Sequence, residues 1–153
     1  MSKKVLIVGC GQLGSRHLQA VAQIADVSEI CVFDPHPEAL KMGQARVAEV
    51  PQGNKNIKFH WSTKLQSDFA GGDLCINAMQ AKDRCSMIQQ VYEKLGYKNF
   101  LIEKIVTPSV DEYEGLLNFS SSNRLAVWVN CKSRAYGIHQ HIKSKLNPDE
   151  PVI

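Results

Sequence analysis

"KVLIVGCGQLGSRH", residues 4–17, decides how the rest of the chain reads. Four apolar residues, Val5 to Val8, run straight into Gly9-Cys10-Gly11-Gln12-Leu13-Gly14, a G-x-G-x-x-G spacing. Behind the glycines, Leu18, Val21, Ala22 and Ala25 recur at i, i+3, i+4 and i+7, the apolar stripe of a helix. A strand that enters a helix through such a turn can cradle a pyrophosphate. Gly9 permits the tight turn, Gly11 lets the phosphates approach the backbone, and Gly14 lets the helix pack close to the strand. The unpaired N–H groups of the helix N-terminus then face the phosphate charge.

Asp34 ends the next strand-like run, "EICVF" (29–33), 20 positions beyond Gly14. An acid there completes the dinucleotide fingerprint by accepting hydrogen bonds from the adenosine ribose hydroxyls. Its carboxylate repels a 2′-phosphate, and no Arg follows in "DPHP" (34–37), so NAD is expected in preference to NADP. Gly9, Cys10, Gly11, Gln12, Leu13 and Gly14 form the expected cradle. Cys10 reads as filler of the turn, because no activating partner for a reactive thiol is identifiable.

Further short apolar runs follow: "IKFH" (57–60), "DLCINA" (73–78), "NFLIE" (99–103) and "LAVWVN" (125–130). Most are apolar throughout rather than alternating, as in strands of a parallel sheet covered on both faces. Helical patterns lie between them. Ile88, Val91, Tyr92 and Leu95 form one stripe, with Gly96 as its stop. Ser109 and Glu112 have the spacing of a capping box, and Val110, Tyr113 and Leu117 are expected to form the buried face of that helix. A helix is expected over 133–146. The stretches 50–56 and 71–73 read as turns. Alternating strands and helices predict an α/β protein of Rossmann type: a doubly wound parallel sheet of about six strands with helices on both faces.

The chain has 153 residues and a net charge of +3. That charge is too small and scattered to argue for nucleic acid or a membrane surface. No apolar run approaches a membrane span, and the start does not read as a signal peptide, so a cytoplasmic location is the default expectation. Five cysteines, with no C-x-x-C pair, read as reduced residues in an apolar setting. No metal site is expected.

"FLIEKIVTPS" (100–109) ends a strand in Glu103-Lys104 just before a helix cap. Ligands of open parallel sheets gather at the carboxyl ends of strands. Lys104 can there hydrogen-bond a reacting hydroxyl, and Glu103 can hold the lysine or contact the cofactor. A solvated charge pair is the alternative.

Taken together, "GCGQLGSRHLQAV" (9–21), Asp34, "DLCINA" and "LIEK" (101–104) resemble the N-terminal domain of the Gfo/Idh/MocA oxidoreductases. "WVNCKSRAYGIHQHIK" (128–143) is similar to the family segment that crosses to the second domain. The resemblance implies NAD- or NADP-dependent hydride transfer on sugars, sugar nucleotides or related polyols. It implies a catalytic role for Lys104, cofactor contacts from Ala78, Met79 and Glu103, and a substrate-side role for Arg134. It also implies that 1–132 form the dinucleotide-binding domain and 133–153 an exit helix and linker towards a substrate domain. Family enzymes often assemble through the sheet of that second domain, so homo-oligomerisation is expected of a parent protein and a monomer of this piece.

Three departures stand out. Ile105 replaces the proline of the family's Glu-Lys-Pro motif, Gly137 replaces the proline that usually follows Arg134, and "MQAKDRCSMI" (79–88) lacks the family's Thr-Pro…His pattern. The second domain's catalytic acid or base is not expected among these residues. Two other readings stay open: a stand-alone NAD-sensing regulatory domain without catalysis, and a fold that binds nothing tightly.

Overall fold

The computed structural model describes residues 2–51 and 56–145, with the side chains of Arg134 and Ala135 excepted. The strands are β1 (Lys3–Val8), β2 (Val27–Phe33), β3 (Lys58–Ser62), β4 (Leu74–Asn77), β5 (Asn99–Glu103) and β6 (Ala126–Asn130). They form a single sheet in the order β3-β2-β1-β4-β5-β6, and every pairing is parallel. The helices are α1 (Gln12–Val21), α2 (Pro37–Ala48), α3 (Ala81–Leu95), α4 (Val110–Ser122) and α5 (Gly137–Lys145).

The continuous apolar character of the strands is explained by two cores. Val5, Ile7, Ile30, Val32 and Ile76 point to one face and pack with Leu18, Val21 and Ala22 behind the glycine turn and with Leu40 of α2. Leu6, Val8, Cys31, Cys75 and Phe100 point to the other and pack with Ile88, Val91 and Leu95 of α3. The inner strands β1, β2, β4 and β5 alternate between two apolar sides, so no polar period shows in their sequence, while the edge strands β3 and β6 are only partly covered. The sheet is therefore doubly wound, and the winding reverses between β1 and β4. The crevice at the carboxyl ends of those two strands is the topological switch point.

Several expectations shift in detail. The first helix ends at Val21, and Ala25 is exposed beyond it. Gly96 does stop α3, with its N–H donating to Tyr92 O at 2.9 Å. Ser109 does cap α4, accepting from the Glu112 N–H at 3.2 Å. The buried face of α4 is not the expected one: Val110, Tyr113 and Leu117 are 70%, 44% and 48% exposed, while Leu116 is 6% exposed. The helix packs through Leu116 with Phe119 beside it, and the expected stripe lies about one residue's rotation away. The region 133–146 begins as a 3-10 turn, Lys132–Ala135, before α5, and none of the described residues of α5 is buried. Residues 52–55 of the expected turn and 146–153 of the expected linker lie outside the described residues.

Helix α2 has no counterpart in the sequence reading. Its signals are Pro37 in the first turn, Glu38 beside it and Arg46 in the last turn. Cys10, Cys31 and Cys75 are buried thiols, while Cys85 and Cys131 are partly exposed. No helix among the described residues is long and apolar enough to cross a membrane.

Paired truncations on α4 test its orientation. Leu116→Ala is expected to cost about 2–5 kcal/mol, as for a buried leucine. Leu117→Ala should cost less than about 1 kcal/mol, as for a surface site. Urea denaturation measures both, and equal losses would contradict the rotated face.

Candidate functional site

The glycine turn is built by close approach. At Gly9, φ is +83°, and an added Cβ would meet Met79 N at 3.0 Å. At Gly14 an added Cβ would lie 1.7 Å from Gly9 O, so α1 abuts the end of β1 through a hydrogen atom. A Cβ at Gly11 would meet nothing within 4 Å among the described residues. Gly11 is the N-cap of α1 and offers no side-chain cap, so the first-turn N–H groups are left to other partners.

Asp34 follows β2 immediately and is 6% exposed. Its Oδ2 accepts from the Cys10 N–H at 2.7 Å and its Oδ1 from the His36 N–H at 2.8 Å. The carboxylate thus fixes the glycine turn to the turn that begins α2, and each oxygen keeps a further lone pair. The Cys10 side chain points inward instead: a Cβ on Gly43 of α2 would lie 2.3 Å from its Sγ. Burial, with a smaller push from Asp34, raises that thiol to about 11. Gln12 is exposed and its carbonyl accepts from Arg46 at 3.0 Å, which ties the end of α2 to the start of α1.

Two clefts flank this turn. One, of about 330 Å³, is lined by Gly9 and Gly11, by Asp34 and His36, and by Ala78 and Met79 after β4. The other, of about 470 Å³, is lined by Leu13, Arg16 and His17 of α1, by Glu103 and Lys104 after β5, and by Asn130 and Lys132 after β6. Of the expected cradle residues, Gly9 and Gly11 border the first together with Asp34, and Leu13 borders the second with Glu103 and Lys104, while Cys10, Gln12 and Gly14 line neither. Arg134 lies in the turn after β6, and its side chain is outside the described residues.

Glu103 does not hold Lys104. Its Oε1 accepts from Asn130 Nδ2 at 2.6 Å and stands 2.6 Å from His17 Nε2. Among the described residues no ion pair joins it to Lys104. Burial raises the Glu103 carboxyl, but the bonds from Asn130 and His17 and the nearby Arg84 charge outweigh it. The carboxyl is held below its ordinary value of 4.5.

The sequence reading missed three residues here: His17, Asn130 and Arg84. Arg84 is 3% exposed on α3. One guanidinium nitrogen donates to Glu103 O at 2.6 Å, to Ile105 O and to Val106 O at 3.1 Å. The other donates to Met79 O at 2.6 Å. One buried cation thus grips the backbone that carries Lys104 and the loop that lines the first cleft. The Lys104–Ile105 peptide inside that grip is cis.

No protein-family model matches the chain, and no curated protein matches its sequence. Solved structures do share its fold. Scyllo-inositol dehydrogenase from Lactobacillus casei, with NAD(H) and scyllo-inositol, superposes with a TM-score of 0.73 at 16% identity over 94% of this chain and 40% of that one. The WlbA dehydrogenase from Bordetella pertussis, with NADH and UDP-GlcNAcA, gives 0.74 at 17% identity over 94% of this chain and 39% of that one. The UDP-N-acetylglucosamine 3-dehydrogenase GnnA from Acidithiobacillus ferrooxidans gives 0.68 at 18% over 95% and 42%. These neighbours are oxidoreductases of the Gfo/Idh/MocA type, and the chain spans about 40% of their length. At such identities the likeness is one of fold.

A carboxyl held low in the folded state adds stability that is complete above its unfolded value and is lost as pH falls through its folded value. Glu103→Gln should therefore be less stable than the wild type near neutral pH, and the gap should close as pH drops below 4.5. Urea denaturation across pH reads this directly. A gap independent of pH would show that the carboxylate charge contributes nothing.

Proposed function

We propose that this chain is the NAD-binding domain of a Gfo/Idh/MocA-type oxidoreductase that transfers hydride to or from a sugar, a sugar nucleotide or a related polyol. The observation that carries the reading is the shared wall between the two clefts. The Gly9–Gly14 turn separates a cleft that holds Asp34 from one that holds Lys104, both at carboxyl ends of parallel strands. The solved neighbours add support, since their structures contain NAD(H) with an inositol or a sugar nucleotide.

The residues fit a dinucleotide. Gly11 leaves open space where a pyrophosphate must approach, and α1 presents first-turn N–H groups without a side-chain cap. Gly9, Gln12, Leu13 and Gly14 form the cradle, with Cys10 contributing backbone only. Asp34 accepts from the ribose hydroxyls through its remaining lone pairs, and Ala78 and Met79 supply the opposite wall. When bound, the nicotinamide ring gives or takes the hydride. Lys104 would hydrogen-bond the oxygen of the reacting carbinol and stabilise charge there as hydride leaves the carbon, with the hydroxyl proton passing to a base that these residues do not supply. Glu103 and Arg84 keep the lysine's backbone in register. Arg134 is a further substrate contact in this reading. Residues 1–132 then form the cofactor domain, in a cytoplasmic protein whose remaining substrate contacts come from a second domain.

Calorimetric titration of the chain with NAD and NADP tests the cofactor assignment. NAD is expected to bind more tightly, and Asp34→Ala to weaken NAD while narrowing the preference. Tighter binding of NADP by the wild type would remove the role given to Asp34. In the full-length protein, Lys104→Ala should lower turnover by orders of magnitude with NAD affinity nearly intact. Unchanged turnover would take Lys104 out of the mechanism.

A further inference from the structure

The cleft beside Lys104 carries positive charge that hydride transfer alone does not require. Three cations line it: Arg16 on α1, Lys104 after β5 and Lys132 after β6. They come from three elements that are distant in sequence, so they are not the solvated face of one helix. The fold brings them to one cleft.

Glu103 is the acid on that wall and its charge offsets one of the three, which leaves an excess of positive charge; its Oε1 is bonded to Asn130 and His17, each at 2.6 Å, and pairs with none of the cations. Among the described residues, none of the three cations has an ion-pair partner. Arg16 donates instead to the neutral Gln19 Oε1 at 2.7 Å. Like charges gathered at a cleft repel one another, and an anion between them removes that repulsion. Arginine also offers the fork that matches a carboxylate or phosphate with two parallel hydrogen bonds. A cleft of about 470 Å³ is large enough for a hexose-sized ligand.

We propose that this cleft selects a substrate bearing an anionic group, a carboxylate or a phosphate, on the same polyhydroxylated skeleton as the reacting carbinol. Arg16 and Lys132 hold the anion, and Lys104 remains for the reacting oxygen. The role given to Lys104 rests on the oxidoreductase reading; the anion preference of the cleft is a property of its charges.

The test titrates the chain, with and without NAD, against D-glucuronate, D-glucose 6-phosphate and D-glucose. At least one anionic probe should bind roughly tenfold or more tightly than glucose, the worth of one or two charge-assisted hydrogen bonds. Whichever anion binds better identifies the group that the cleft reads. The preference should shrink as salt is raised. It should be lost in Arg16→Gln/Lys132→Gln and kept in the charge-conserving Arg16→Lys/Lys132→Arg, with folding of both checked by circular dichroism. Equal affinity for all three probes, no binding of any, or a preference that survives neutralisation of both residues overturns the proposal. Failure of NAD to bind while anion selectivity persists overturns only the oxidoreductase reading. NAD binding without anion selectivity overturns only the substrate assignment.

Discussion

The arrangement depends on a contact in which almost nothing fits. Between Gly14 on α1 and Gly9 at the end of β1 there is room for a hydrogen atom and not for a methyl group. This approach sets the axis of α1 over the sheet. It decides where the open N–H groups of that helix point. His17, three residues beyond Gly14, lies on the same side of the helix, and from there its ring meets Glu103 at the end of β5. The glycine pattern thus shapes the wall of the cleft beside Lys104 as well as the turn between β1 and α1.

The segment that carries Lys104 is held from both faces of the sheet. On the α1 face, Glu103 is joined to His17 and Asn130, so α1, β5 and β6 meet at one carboxylate. On the α3 face, Arg84 binds carbonyls on both sides of Lys104 and Met79 O across the crevice. Sites work when their backbone is fixed by groups that are themselves fixed. Here the lysine side chain stays exposed while the chain beneath it has little freedom.

The strands were legible because two-sided burial leaves short apolar runs that only a covered parallel sheet explains. The run read as 99–103 coincides with β5. Helix α4 was harder. Its apolar residues surround more than one side, so spacing alone did not say whether Leu116 or its neighbours face the core. Helix α2 buries only Leu40 and Gly43, too little apolar contrast to mark a helix by spacing. In the site, the glycines, Asp34 and Lys104 are marked by local spacing. His17 and Asn130 are not, because their bonds to Glu103 span 86 and 27 positions. Arg84 reads as an ordinary helix arginine until the fold carries it 19 positions away to Glu103 O.

The two tryptophans occupy opposite ends of the sheet. Trp61 on β3 stacks on Phe59 with ring centroids 5.9 Å apart and is partly buried. Trp128 on β6 pairs in register with Leu101, two residues before Glu103, and is 54% exposed. Their emission should differ accordingly, with the exposed indole red-shifted and open to dissolved quenchers. The chain therefore contains its own optical reporter: fluorescence from Trp128 would register a molecule settling over the β5–β6 face, while Trp61 serves as an internal reference.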